Sequence, residues 1–261
     1  MNKYCVVTCI FNDYDLVREP LAIDNDCDYY LFTDNKNLTS DNWKIIYLQN
    51  FDTNLLTGVQ KTYMWKYSLY KYIPNLSNYD YIIRIDASIL ILNSLNEIIH
   101  QMREYKYDLS IGIHPDRNNR FDEYSVWEAL RNIESRFIEQ YNNFVNDVMQ
   151  NNNYYGLCEN TVQIYKCNKK VFNLLDSCYA YINYYCNFED PNDQCYFSDI
   201  LSFYINNLRI HWHSNKLYID GQYLCCYEHN TTDIKRMDED NNEGVIFNRP
   251  IIIDNFYHFT T

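Results

Sequence analysis

The chain has 261 residues, 47% hydrophobic and 17% aromatic, enough apolar material for a sizeable core and outside the disordered class despite a mean hydropathy of -0.50. Its 35 acidic against 22 basic side chains leave a formal net charge of -13, which argues against nucleic acid as the main partner, because a phosphate-backbone binder presents a basic face. The 10 cysteines form no CxxC pair and no zinc-type spacing, no signal-peptide pattern opens the chain, and no apolar run reaches bilayer length. The expectation is therefore a soluble, cytoplasmic chain with free thiols and no membrane span.

In chain order, Lys3 to Ile10 reads as a buried strand, followed by a polar loop from Phe11 to Pro20. Cys27 to Thr33 is a second strand closed by Asp34 and Asn35, and Trp43 to Leu48 a third. Thr57 to Ile73 shifts to helical spacing and stops at Pro74. Tyr79 to Ile85 is a Tyr/Ile-rich run, interrupted by Asp80 and Arg84, that ends abruptly in Asp86, Ala87 and Ser88 before a second apolar run. Such a run fits a strand covered on both faces. Asn93 is placed as the cap of a helix to Tyr105, and Asp108 to Ile113 is a strand ending in His114. Phe121 to Gln150 is a long amphipathic helix with Trp127, Leu130, Ile133, Phe137 and Ile138 on one face. A strand at Thr161 to Tyr165, a helix from Asn168 to Tyr185, a helix from Gln194 to Tyr204 and late strands at Leu208 to Trp212 and Leu217 to Ile219 follow. Thr231 to Glu243 is acidic, short of apolar groups and expected to be flexible. Alternating strand and helix predict one α/β domain over residues 1–261, with a mostly parallel sheet.

Ligands of open α/β sheets bind beyond the carboxyl ends of the strands, which is where Asp86 falls. A lone acid there is equally a turn former.

The order of short motifs resembles a glycosyltransferase-like family, long catalogued as a domain of unknown function, whose plant members are associated with mucilage polysaccharides. The carrying residues are Thr8 to Asp15 (TCIFNDYD) with Arg18-Glu19-Pro20, Cys27 to Asp34 (CDYYLFTD), Trp43 to Ile45, and Lys61 with Trp65-Lys66. They continue through Tyr79 to Ile89, His114-Pro115-Asp116-Arg117 with Asp122-Glu123, Gly156 to Asn160, and Asp193-Gln194, covering most of residues 3–230. The resemblance implies a GT-A-like, mixed, mostly parallel sheet flanked by helices, with a Rossmann-like nucleotide-binding half. It further implies transfer of a sugar from a nucleotide-diphospho-sugar donor to a glycan, polysaccharide or glycoconjugate acceptor, assisted by Mn2+ or Mg2+.

Residue by residue, the resemblance places Thr8, Phe11, Asp34, Lys66 and Asp86 at the nucleotide-sugar donor. It places the metal on Asp86, Ser88 and His229, with His211 and His213 competing. Here the chain departs from the usual Asp-x-Asp of GT-A enzymes: Ser88 stands where a second acid is expected, and a hydroxyl is a feeble ligand for a hard cation. If transfer inverts configuration, Asp193 is the favoured base, with Glu123 and Glu159 as substitutes; if it retains configuration, Asp193 orients the donor sugar. His114 and Arg117 are assigned to the sugar or acceptor pocket, or Arg117 simply pairs with Glu123. Two other readings stay open: an inactive sugar- or nucleotide-binding module, favoured by Ser88, and a glycoside hydrolase acting through Glu123 and Asp193.

Overall fold

The computed structural model describes residues 3–51, 55–114, 117, 122–126, 134–149, 156–190, 192–213 and 223–226. The expected strand at 217–219, the acidic stretch 231–243 and His229 lie outside the described residues, as do Trp127, Leu130 and Ile133 of the expected long helix. In chain order the elements are β1 (Lys3–Ile10), β2 (Cys27–Thr33), β3 (Lys44–Tyr47), α1 (Gly58–Lys66), β4 (Tyr79–Ile85), β5 (Ile89–Ile91) and α2 (Asn96–Glu104). They continue with β6 (Leu109–Ile113), α3 (helical residues 122–126), α4 (Ser135–Val148), β7 (Cys158–Lys166), α5 (Lys169–Cys186), α6 (Asp193–Ser202), β8 (Ile210–His213) and β9 (Leu224–Cys226).

Seven strands form one sheet in the order β3-β2-β1-β4-β7-β6-β8, and β5 pairs with β9 in a small second sheet. Neighbours run parallel except at β7, which is antiparallel to both β4 and β6. The mixed, mostly parallel α/β sheet flanked by helices is thus the observed fold. β7 contains the strand expected at Thr161 to Tyr165, but its direction and its place between β4 and β6 are not apparent from strand periodicity, because an apolar run carries no sign of its direction.

The sheet is covered on both faces, which explains the near-continuous apolar runs of β1 and β4. Cys5, Val7 and Ile82 face a core completed by Trp65 of α1, Phe144 of α4, Leu174 of α5 and Phe197 of α6. Tyr4, Val6, Ile83 and Ile85 face the other core, closed by Ile99 and Met102 of α2 and by Ile89, Ile91 and Leu224 of the small sheet. All ten cysteines are unpaired, as expected.

Two helix boundaries differ from expectation for local chemical reasons. α1 begins in a capping box, with Gln60 N–H donating 3.2 Å to Thr57 Oγ1 and Thr57 N–H donating 2.9 Å to Gln60 Oε1. It ends at Lys66 rather than continuing to Ile73, because the Ser68 hydroxyl donates to the Met64 carbonyl and the chain tightens into a 3-10 turn at Leu69–Lys71. α2 starts at Asn96, not at Asn93, and its first turn is capped from a distance: Leu95 N–H and Asn96 Nδ2 donate to the two oxygens of Asp24 at 2.9 and 3.1 Å. A cap contributed by another loop leaves no signature in the helix's own sequence.

The register of β6 against β7 shifts between Ile111 and Gly112. A Cβ on Gly112 would lie 3.2 Å from Glu159 Cβ and 3.3 Å from His213 Cε1. Gly112→Ala is expected to cost about 1–3 kcal/mol through this crowding; a chemical-unfolding midpoint unchanged from wild type would show that the neighbours yield freely.

Candidate functional site

In the order β3-β2-β1-β4, the chain leaves β1 toward one edge and returns on its other side as β4. The carboxyl ends of β1 and β4 therefore flank the point where the winding reverses, the usual ligand crevice of an open α/β sheet. Three buried or half-buried cation–carboxylate pairs converge there.

The first pair joins β1, β2 and α1. Lys61, 2% exposed, donates 2.5 Å to Asp34 Oδ2 and 2.6 Å to Asn12 Oδ1, while Asn12 N–H donates 3.0 Å to Asp34 Oδ1. Asn12 and Asp13 both have positive φ (54° and 51°), a conformation that Asn and Asp tolerate better than most residues. Asp34 is thus the clamp that holds the loop after β1. Lys61 was visible in the sequence only as part of a basic helix.

The second pair joins α1 to α6. Lys66 Nζ and Tyr67 Oη each donate 2.5 Å to Asp193 Oδ2, and Asn160 Nδ2 of β7 donates 3.4 Å to the same oxygen. Burial and the nearby Arg84 guanidinium pull the Lys66 ammonium below its ordinary pKa, with Asp193 opposing them. The two residues assigned separate tasks from sequence are therefore one ion pair. Asp193, expected either as a base or as an orienting group, is held in place by an ammonium, a phenol and an amide.

The third pair sits on β4. Arg84 and Asp86 are two residues apart and so project from the same strand face; Arg84 Nη2 donates to Asp86 Oδ1, and Nη1 donates to the Asn160 carbonyl. Arg84 is 1% exposed, whereas the Asp86 side chain is 34% exposed. Burial opposes the guanidinium charge, but Asp86 beside it prevails and raises the Arg84 pKa. Asp86 is also fixed through its backbone, its N–H donating 3.0 Å to the Thr161 carbonyl and its carbonyl accepting from Ile89 N–H at 3.0 Å.

The other expected site residues separate. Phe11 is 1% exposed and stacks on Phe51 with ring centroids 5.1 Å apart, so its ring packs the core instead of facing a nucleotide base. Thr8 points to the opposite face of the sheet from Phe11; its buried Oγ1 has no hydrogen-bond partner among the described residues, and it borders a shallow depression shared with Arg18, Trp43 and Ala87. Ser88 is 4% exposed and does not stand beside Asp86 as an open ligand. Arg117 forms an ion pair with the fully buried Glu123, whose Oε1 also accepts from Gln194 Nε2 at 3.4 Å; this is the simple pairing alternative. His114 is 6% exposed, and burial followed by the Arg117 charge lowers its pKa to about 4, so it is a neutral imidazole whose Nδ1 accepts from Arg117 N–H at 3.2 Å. Glu159 accepts from the Thr161 hydroxyl and N–H at the start of β7. His211 shares a 3.0 Å hydrogen bond with Ser110 Oγ and stacks on Tyr107 at 5.1 Å, the setting of a structural histidine.

For a divalent cation, no group of three His, Cys, Asp or Glu side chains converges among the described residues. The Asp86 side chain is 34% exposed, with Arg84 bonded to its Oδ1. Mg2+ in phosphate-transfer sites is commonly held by one or two carboxylates, with water and substrate phosphates completing its shell. The described residues fit a cation that arrives with a diphosphate, not one caged by the protein alone.

Fold and site together define an α/β protein with a charged, internally neutralised crevice at the switch point of its sheet. No family model and no curated protein sequence matches this chain. Among solved structures, the chain is similar to mouse xyloside xylosyltransferase 1 in its apo form, at 10% identity over 83% of this chain and 86% of that one, with a TM-score of 0.45. It is similar also to galactosyltransferase LgtC in complex with donor and acceptor sugar analogs, at 11% identity over 82% and 74%, with a TM-score of 0.42. The mannosyltransferase Ktr4p from S. cerevisiae aligns at 12% identity over 80% and 68%, with a TM-score of 0.43. At so low an identity and superposition score, these likenesses assign no activity. No helix among the described residues is long and apolar enough to cross a membrane.

Proposed function

We propose that this chain is a GT-A-type glycosyltransferase that moves a sugar from a nucleotide-diphospho-sugar to a glycan, polysaccharide or glycoconjugate acceptor. The observation that carries the reading is the convergence of Asp34, Asp86 and Asp193, each on its own basic partner, at the switch point of one sheet. These acids are far apart in sequence and are the ones marked by the motif resemblance. Asp86 is neither turned into the interior nor remote from the strand tips: the adjacent Ala87 lines the same depression as Thr8 and Ile10 of β1 and Leu31 of β2.

In this reading the loop held by Asp34 and Lys61 receives the nucleoside. The partly exposed carboxylate of Asp86 would hold Mn2+ or Mg2+, which would supply positive charge to the departing diphosphate. Lys66 adds a buried positive charge nearby, worth more there than in water. Asp193, fixed by Lys66, Tyr67 and Asn160, orients the donor sugar. That assignment favours retention over inversion, the two courses that the sequence leaves open. The hydrolase alternative loses its support, since Glu123 and Asp193 are both neutralised by a cation. His229 stays a candidate metal ligand.

The test is thermal stability against a panel of nucleoside diphosphates with and without Mn2+. One nucleotide is expected to stabilise the fold by about 2.7 kcal/mol at a hundredfold excess over its Kd, in a metal-enhanced manner. Asp86→Asn is expected to abolish the metal-enhanced part, read within the variant as the difference in melting temperature with and without Mn2+, because removing the charge beside buried Arg84 also lowers the unliganded melting temperature. No response to any nucleoside diphosphate would end the transferase reading.

A further inference from the structure

We propose that Arg84 acts as a resident competitor for the divalent cation at Asp86, so that metal enters only together with a diphosphate. This inference rests on the transferase reading for the identity of the second ligand, but not for the behaviour of Asp86 toward metal alone.

Arg84 interrupts an otherwise apolar strand and is 1% exposed, yet it reaches no solvent-side partner other than Asp86. Its two terminal nitrogens are both committed, one to Asp86 Oδ1 and one to the Asn160 carbonyl, while Nε is buried without a hydrogen-bond partner among the described residues. A guanidinium is charged at every accessible pH and cannot be neutralised by burial. Its attraction to Asp86 is therefore permanent, and it offsets the carboxylate charge that a cation would otherwise meet. Among the described residues, Ser88, the nearest oxygen ligand expected beside Asp86, is buried and adds no open second ligand there. A lone metal ion thus meets one half-neutralised carboxylate. A diphosphate changes the balance by bringing its own oxygens and negative charge, so the cation is held between phosphate and the partly exposed carboxylate of Asp86. Arg84 stays in place through Asn160, whose side chain contacts Asp193 at 3.4 Å, so the same guanidinium registers Asp86 against the orienting acid. Arg84 is a positioning residue and touches no substrate.

The experiment is a titration of the full chain with Mn2+, reading free Mn2+ by electron paramagnetic resonance, first alone and then with a saturating nucleoside diphosphate. Wild type is expected to take up no Mn2+ alone, and one equivalent with the nucleotide. Arg84→Gln is expected to bind one Mn2+ without nucleotide, with affinity raised about ten- to a hundredfold, the range over which neighbours of a metal ligand act. Arg84→Lys, which keeps the charge but not the fork, is expected to fall between the two. Tight binding of one Mn2+ by wild type alone, lost in Asp86→Asn, would overturn the proposal, and so would an Arg84→Gln protein that folds but shows no gain. Should Arg84→Gln fail to fold, Arg84→Lys carries the comparison: Mn2+ uptake without nucleotide above that of wild type supports the proposal, and uptake equal to wild type overturns it. If no nucleoside diphosphate binds under any condition, the transferase reading fails, while the comparison of Mn2+ uptake between wild type and the Arg84 variants continues to judge the role of Arg84.

Discussion

Lys66→Met is expected to destabilise the fold by about 3–5 kcal/mol, far more than the loss of an exposed ion pair, because it strands Asp193 as an uncompensated charge. The Lys66 and Asp193 side chains are only 4% and 7% exposed, so water cannot replace the missing partner. Tyr67 and Asn160 continue to donate to Asp193 Oδ2 and limit the damage. Lys66→Met combined with Asp193→Asn is expected to recover most of that loss, since an amide needs no countercharge, while turnover remains lost in both. The measurement is a double-mutant cycle by urea unfolding, read beside activity. Additive single effects would show that the two residues do not depend on one another and would dissolve the second cation–carboxylate pair. A single-variant loss near 1 kcal/mol would do the same.

The second large effect is expected from pH. Asp190 lies three residues before Asp193, is 1% exposed, and accepts from Tyr124 Oη at 2.8 Å and Asn192 N–H at 2.9 Å. Burial pushes its carboxyl up to about 7, against the lowering effect of those hydrogen bonds and with the Asp193 charge assisting the rise. The folded pKa is above the unfolded one, so the stabilising contribution of the protonated acid is complete below about pH 4, the unfolded carboxylate range, and disappears as pH climbs through about 7. The native state binds the extra proton in that window, so stability falls with rising pH. On the order of 2–4 kcal/mol is at stake. Asp190→Asn is expected to remove this component of the slope and leave the rest of the pH profile in place. Identical slopes for wild type and Asp190→Asn between pH 4 and 7 would show that Asp190 is ionised throughout. The consequence reaches the site, because Asp190 stands at the entrance to α6, and ionising it places a second negative charge beside Asp193.

Much of the local structure was legible because it depends on short-range chemistry. The Tyr/Ile run ending at Asp86 and the start of α5 at Asn168 each carry their cause within a few positions, and both appear where the sequence puts them, whereas the single helix expected over Phe121 to Gln150 is interrupted at Glu134, whose backbone is extended, so that α4 begins only at Ser135. The crevice residues were found unevenly. Asp34, Asp86 and Asp193 stood out as acids at element ends, whereas Lys61, which holds Asp34, was visible only as part of a basic helix motif, and Arg84, which holds Asp86, only as an interruption of a strand. One signal was present for Arg84: its spacing of two residues from Asp86 places both side chains on one strand face.

Periodicity, end residues and composition by themselves determined that this chain forms an α/β sheet with acids at its strand ends, since those features act over one strand or one helical turn. Only the tertiary structure decided which basic residue each acid meets, that β7 runs against its neighbours, that the Phe11 ring belongs to the core, and that Asp24 caps a helix far along the chain. Those outcomes depend on which distant segments share a layer. Charge pairing and burial act through space, and the spacing of residues along the chain does not encode them.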